Sequence, residues 1–450
     1  MNNLTKEMIL LINPKTTKPS EFQSEYFREP SLGLLYLAAL LERDDMDVEI
    51  LDLEQYFDLS LEHLESIFKD ISGQYNLFGI TCLTNTYQYS INIAKFIKKY
   101  NPSAVIVFGG PHVSFLYNTI LMTEENIDFI CVGESEKSFI LLAELLMRQQ
   151  KKSIINKEFN KKVKLIRGLA YKTHQGKISF TGYPEIVNLE DQPLPARYKL
   201  SQTNYYYRVA NIIVNRGCPN ECSFCSRQNL FKKVRIRTIS SILSEIRDII
   251  SLQNYEYINF YDNININKKF FYKFCNMFIE NQITIPWGCE LRVDSIKDND
   301  AKLLKNAGCK LIATGIESAS QEVLNTNFKY QDPTYVLNGL KSLKKHGIAV
   351  QCYFVLGLPG ETESTFQETI NYIRKLPLTH EDKLEYFAAT PYPGSKLWED
   401  QEKYQIKIIE KDFSKYDCQH IIFETPDLNF QQLIAMFKIA KELEKFHLTD

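Results

Sequence analysis

The chemistry-bearing residues of this chain are most concentrated in Arg216-Gly217-Cys218-Pro219-Asn220-Glu221-Cys222-Ser223-Phe224-Cys225. The spacing, Cys-x3-Cys-x2-Cys, lets one loop aim three thiolates at a compact centre, and thiolates select zinc, copper or iron–sulfur centres. A structural zinc site usually takes a fourth protein ligand, and no Cys or His follows nearby. A four-iron cubane fits better: three irons are held by Cys218, Cys222 and Cys225, and the fourth stays open to coordinate a substrate or cofactor. The other seven of the ten cysteines (82, 131, 275, 289, 309, 352 and 418) are isolated, where a reduced, buried thiol is the expectation.

Regular elements must hold that loop. A strand-like run at 210–215 leads into it. Strand patterns follow at 257–261, 285–288, 311–315 and 350–355, separated by helical patterns at 239–250, 269–280, 296–307 and 334–346. Repeated βα units predict a partial or full β/α barrel, with its chemistry at the carboxyl ends of the strands. Asp262, Glu290 and Arg292 fall at such ends, as does Glu317 in Gly315-Ile316-Glu317-Ser318. Each has a bland alternative: a turn cap for Asp262, a surface ion pair for Arg292, a helix cap for Glu317.

Upstream, runs at 8–13, 48–53, 77–82 and 104–108 read as strands, and 91–99 and 139–146 as helices. Ser31 is placed to cap a helix whose apolar face includes Leu34, Leu37, Ala38 and Leu41. This alternation predicts a parallel α/β domain. Thr81 to Thr86, Gly109-Gly110-Pro111-His112 and Gly133-Glu134-Ser135-Glu136 fall where strands end, so they either receive a flat cofactor or form tight turns. No GxGxxG or GxxxxGK[ST] run accompanies them.

Taken in order, Asn13-Pro14, Ser31-Leu32-Gly33, the Gly109-Gly110-Pro111-His112 turn and Gly133-Glu134 resemble the N-terminal half of cobalamin-binding-domain radical SAM proteins, including their class B methyltransferase-like members. The cysteine triplet with Phe224 is similar to the motif of that superfamily, as are Gly315-Ile316-Glu317-Ser318 and Leu356-Gly357-Leu358-Pro359-Gly360-Glu361-Thr362. The resemblance implies a [4Fe-4S] cluster that reductively cleaves S-adenosyl-L-methionine to a 5'-deoxyadenosyl radical. It places Phe224, Asp262, Arg292 and Glu317 at adenosylmethionine, and Ser31, Leu32, Gly109, Gly110, His112, Gly133 and Glu134 at cobalamin. No Asp-x-His-x-x-Gly motif occurs, so the resemblance implies cobalamin without that axial histidine, or a domain that has lost the cofactor. The implied reaction is methyl transfer from methylcobalamin to an unactivated centre. A non-methylating rearrangement, cyclisation or oxidation, and a cobalamin- or cluster-dependent sensor, are the alternatives. An external electron donor such as flavodoxin or ferredoxin is implied, and the substrate is left open among small molecules, lipids and peptides.

The expected organisation is a Rossmann-like cobalamin-binding α/β domain over 1–150, a connector with a small hairpin over 151–205, a radical SAM β/α barrel over 206–400 and a helical extension over 401–450. The chain carries 55 acidic against 53 basic residues, so no nucleic-acid partner is expected. No signal peptide and no apolar run of roughly 18 residues is found, which predicts a cytoplasmic protein without a transmembrane segment.

Overall fold

The computed structural model describes residues 8–16, 29–56, 59–148, 157–200, 208–261 and 264–446. They form two compact units, one running to Leu200 and one from Arg208 onward; Glu29 and Pro30 belong to the second unit and Leu230–Lys232 to the first.

The first unit alternates β1 (Ile9–Asn13), α1 (Leu32–Arg43), β2 (Val48–Asp52), α2 (Leu61–Ile71), β3 (Leu77–Thr81), α3 (Tyr87–Tyr100), β4 (Val105–Gly109), α4 (Pro111–Thr123), β5 (Phe129–Cys131) and α5 (Glu136–Met147). The strands pair in parallel in the order β2-β1-β3-β4-β5. They read as near-continuous Ile, Leu, Val and Phe because both faces of the sheet are covered. Leu34, Ala38, Phe139 and Leu142 pack against one face, and Leu64, Phe68, Ile91 and Ile97 against the other. Each of the buried Leu, Ile and Phe side chains contributes about 1.5–3 kcal/mol over leaving it exposed.

Two expectations are corrected here. Ser31 occupies the N-cap position of α1, but its side chain makes no capping hydrogen bond. The hairpin of β6 (Leu169–Lys172) and β7 (Ile178–Phe180) does form around Gly176, yet it is not a free-standing connector. It pairs antiparallel with β5 and completes a seven-stranded sheet, because the edge of β5 would otherwise expose unpaired backbone groups. The lysines at 151 and 152 and the tyrosines at 205–207 lie outside the described residues.

The second unit is an open, six-stranded parallel barrel in strict chain order: β8 (Val209–Ile212), β9 (Tyr257–Phe260), β10 (Trp287–Glu290), β11 (Cys309–Glu317), β12 (Ala349–Leu356) and β13 (Lys383–Ala388). Between them run α6 (Ile239–Leu252), α7 (Lys268–Glu280), α8 (Asp298–Asn306), α9 (Pro333–Lys345) and α10 (Glu363–Ile373). Local signals start them: Thr238, Asn267 and Asp332 accept backbone N–H bonds at the N-caps, and Thr362 with Thr365 forms a reciprocal box. The expected strand at 285–288 lies two residues later, after Pro286, whose ring removes the N–H that a ladder needs. Trp287 stacks on Phe278 at 4.9 Å, meets Phe260 and Phe274 edge-on, and donates Nε1–H to the Ala307 carbonyl at 2.7 Å.

The C-terminal stretch is not purely helical. Lys407–Ile408 pairs with Phe423–Glu424 over a small core of Tyr404, Tyr416 and Ile422, before α11 (Phe430–Phe446) packs along β13.

Glu361, in the loop after β12, is 2% exposed and accepts the Gly357 N–H at 2.5 Å. Burial pushes its carboxyl up to about 8, above its unfolded value. Its contribution to stability is therefore fully present below the unfolded carboxyl range and is lost as pH rises through about 8. Glu361→Gln keeps an acceptor for Gly357 and removes that loss. Urea unfolding at pH 6 and pH 9 should show the variant gaining on the parent at the higher pH, by the order of 1–3 kcal/mol.

Candidate active site

Where β8 ends, the chain turns through Gly217, whose φ of +86° and the Lys233 carbonyl, 2.6 Å from any added Cβ, admit only glycine. Cys218, Cys222 and Cys225 follow on one loop; Cys218 acts electrostatically on both of the others, and Cys225 on Cys222. Among the described residues no three His, Cys, Asp or Glu side chains converge as donors to a single metal ion. Burial pushes the metal-free Cys222 thiol up to about 11 and raises Cys225; iron coordination would deprotonate both.

The loop is held from outside. Ser223 is fully buried; its N–H donates to the Asn327 carbonyl at 3.0 Å and its hydroxyl to Asn327 Oδ1 at 2.6 Å. Asn327 in turn donates to the Pro359 carbonyl at 2.9 Å. One buried amide thus ties the cysteine loop to the Leu358-Pro359-Gly360 turn. Phe224 packs beside the cluster of Leu358, Leu397 and Tyr416. Arg292 does not stand as a lone cation. It pairs with Asp294 at 2.7 Å, donates to the Tyr330 carbonyl and reaches Asn220 Oδ1 at 3.3 Å, and Asn220 donates toward Cys218 Sγ at 3.5 Å. Its ion pair and its tie to the cysteine loop therefore coexist.

Glu317 sits at a register shift in β11 with a φ of +64°, and its Oε1 accepts from Lys329 Nζ at 2.7 Å. Both side chains are nearly buried, so this is a charge-assisted bond in low dielectric rather than a helix cap. Lys329 also acts on Cys222, Cys225 and Glu290. Asp262 lies outside the described residues. Asn327 and Lys329 carry no motif that spacing alone would single out; the fold brings them to the loop.

In the first unit, three turns lie side by side at the carboxyl edge of β3, β4 and β5, which is where open parallel sheets bind ligands. Cys82 donates its N–H to the Gly109 carbonyl at 2.8 Å, and His112 N–H donates to the Cys82 carbonyl at 3.3 Å. The Ser114 hydroxyl joins the other two turns, donating to the Gly110 carbonyl at 2.7 Å and accepting from Gly133 N–H at 2.9 Å. Gly109, Gly110 and Gly133 are thus brought together, with Glu134 buried beside Gly133. An added Cβ would meet nothing closer than 3.9 Å at Gly109 and 3.5 Å at Gly133, and Leu83 is exposed, so this edge can accept a flat, partly apolar cofactor. Ser31 and Leu32 begin α1 on the crossover from β1, with Leu32 buried.

His112 is 1% exposed, its Nδ1 lies 3.2 Å from Thr84 Oγ1 and its ring is 4.6 Å from that of Tyr87. Burial lowers its pKa to about 3, which keeps the imidazole neutral. The enclosed ring supports the turn from within.

Two family models match the chain: the B12 binding domain over residues 24–143 and the Radical SAM superfamily over residues 212–373. An uncharacterized methyltransferase of Pyrococcus horikoshii is 30% identical over 82% of this chain and 78% of its own length. The chain belongs to the cobalamin-binding radical SAM family. Its cofactors are accordingly a [4Fe-4S] cluster, S-adenosyl-L-methionine and cobalamin. An anaerobic magnesium-protoporphyrin IX monomethyl ester cyclase of Rubrivivax gelatinosus is 29% identical over 76% of this chain, which spans 60% of that relative's length. The radical S-adenosylmethionine methyltransferase TsrM of Kitasatospora setae, solved with cobalamin and a [4Fe-4S] cluster, shares the fold with a TM-score of 0.73, 16% identity and coverage of 97% of this chain and 91% of that one. Among the described residues no helix is long and apolar enough to cross a membrane.

Gly110 has a φ of +104°, and an added Cβ would stand 2.7 Å from the Cys82 carbonyl oxygen. Gly110→Ala should destabilise the chain by about 1–3 kcal/mol in urea unfolding, while Gly109→Ala stays within about 1 kcal/mol.

Proposed function

We propose that this enzyme transfers a methyl group from methylcobalamin to an unactivated carbon or phosphorus centre by a radical route. The observation that carries the reading is the pairing, in one chain, of a cobalamin-type edge with a three-thiol loop, in a family whose matched relatives include methyltransferases. When bound, the cluster supplies the electron that cleaves adenosylmethionine, and cobalamin carries the methyl group.

The protein's share is placement. Cys218, Cys222 and Cys225 would hold the cluster, which would supply the site where adenosylmethionine binds. Lys329, fixed by Glu317, and Arg292, fixed by Asp294, place positive charge beside the loop where the carboxylate of adenosylmethionine would come. Phe224 offers a flat apolar surface to the adenine, and Asp262 follows β9 where the amino group would be received. In the first unit, Gly109 and Gly133 leave room for the corrin, with Ser31, Leu32, Gly110, His112 and Glu134 shaping the same edge. Fixing these groups before reaction lowers the orientational cost of bringing the reactants together.

The cyclase relative supports a second reading, a radical oxidation or cyclisation without methyl transfer. Products separate the two. The anaerobically reconstituted, cobalamin-loaded enzyme, given reductant and substrate, should form 5'-deoxyadenosine, S-adenosylhomocysteine and a methylated product. Formation of 5'-deoxyadenosine with an oxidised or cyclised product and no S-adenosylhomocysteine would establish the second reading. Alanine at Cys218, Cys222 or Cys225 should abolish 5'-deoxyadenosine formation; its persistence in all three variants would refute the site.

A further inference from the structure

Between the short helix Gln321–Thr326 and Asp332, the N-cap of α9, the chain has only a connector, Asn327-Phe328-Lys329-Tyr330-Gln331. A loop that merely joins two helices runs over the surface and leaves its polar groups to water. This one does the reverse. Asn327 is fully buried, Gln331 is buried, and the Lys329 side chain is almost enclosed. Burying two amides and an ammonium costs free energy unless each is bonded. The bonds made here reach segments far away in the sequence.

At one end, Asn327 holds the cysteine loop. Its carbonyl accepts the Ser223 N–H at 3.0 Å, its Oδ1 accepts the Ser223 hydroxyl at 2.6 Å, and its Nδ2 donates to the Pro359 carbonyl at 2.9 Å. At the other end, Gln331 holds the turn that carries Glu317. The pairing of β11 with β12 shifts register between Gly315 and Glu317, which disrupts the ladder locally. Gln331 Nε2 donates there, to the Ile316 carbonyl at 2.7 Å and to the Gly315 carbonyl at 3.4 Å. Between the two ends, Lys329 Nζ bonds Glu317 Oε1 at 2.7 Å, and the Tyr330 carbonyl accepts from Arg292. Phe328 joins them with a φ of +55°, a left-handed conformation that is unfavourable for an aromatic residue and persists only where its surroundings fix it.

One short segment therefore spans from the thiols to Glu317 and Arg292. The cysteine loop has a further tie, from the Leu397 N–H to the Ser223 carbonyl at 3.0 Å, so losing the Asn327 side-chain bond loosens the loop without releasing it. We propose that residues 327–331 form a positioning strap that sets the cysteine loop in register with Glu317, Lys329 and Arg292, with Asn327 and Gln331 as its two positioning residues. They act through Ser223 and through the backbone under Glu317, not by touching adenosylmethionine. A cofactor held both at a cluster and at a charged pair depends on the spacing of the two, because a misplacement of about 1 Å forfeits much of what orientation supplies. This deepens the proposed function and rests on its assignment of these groups to adenosylmethionine.

The test uses the full chain, anaerobically reconstituted with cluster and cobalamin, and measures adenosylmethionine affinity by equilibrium dialysis without reductant. Ser223→Ala removes the hydroxyl that Asn327 holds; Gln331→Met keeps the length of the side chain and removes its donors. Each should bind adenosylmethionine about fivefold more weakly per loaded cluster, with iron content unchanged and the melting temperature within a few degrees. The double variant should lose about fivefold to tenfold rather than the product of about 25-fold, because a strap freed at one end no longer sets the spacing from the other. Should either variant fail to load its cluster, Asn327→Ser and Gln331→Asn shorten the two strap side chains and should weaken binding likewise. Unchanged affinity in both loaded single variants, or losses that multiply, would overturn the proposal. A fall in melting temperature and iron content with affinity per cluster unchanged would give the segment a purely structural part and overturn it equally. The alanine variants of Cys218, Cys222 and Cys225 judge the reading underneath: if all three still form 5'-deoxyadenosine, the site assignment fails and the strap with it. If they lose it while the strap variants bind adenosylmethionine normally, the strap alone fails.

Discussion

Successive side chains on a β-strand must point to opposite faces, and most of what the second unit does follows from that constraint. Because β8 to β13 run parallel and in chain order, each connection returns over the same face and covers it with a helix. One set of alternate residues is thereby committed to the apolar layer under those helices. The other set is released from packing, and in this chain it is largely polar. A closed barrel with a filled interior would not leave such a wall; an open one of six strands does.

The same parallel arrangement brings the reactive loops to one edge of each sheet, but it does not hold them still. That task falls to a few buried polar groups. Asn327 satisfies both the backbone and the hydroxyl of Ser223 while donating to Pro359, so the cysteine loop and the turn after β12 share one anchor. Asp294, Arg292 and Asn220 form a second line to Cys218. In the first unit Ser114 and the Cys82 backbone do the equivalent for the glycine turns. Within each network the polar groups bond to one another, which rigidifies the surroundings.

Charge is distributed with similar economy. Glu317 and Lys329 pair beside the cysteine loop, and Arg227 and Lys329 both act on Glu290 at the end of β10. Glu29 and Glu290 are both raised by burial first, so the enclosure itself, rather than any single neighbour, sets their state.

Much of this was legible in the chain itself. The spacing of Cys218, Cys222 and Cys225 fixes thiolate chemistry because all three lie on one short loop. The runs that became β1, β3, β4, β8 and β12 are local signals, since hydrophobic period acts within a few residues. The helices at Leu61–Ile71 and Pro111–Thr123 and the strand at Lys383–Ala388 lay outside those assignments. Long-range choices were invisible. The register of β6 and β7 against β5, the partner of Arg292 and the meeting of Glu317 with Lys329 depend on chain segments brought together only in three dimensions. Glu29 is the clearest case. By sequence it is a charged residue before a proline; by tertiary structure it stands 230 residues from its hydrogen-bond partner Asn259, on the wall of the barrel. The sequence determined which chemistry the chain can do, because that chemistry is carried by neighbouring atoms on one loop. The tertiary structure decided what faces it, because burial and counter-charge are properties of the assembled fold.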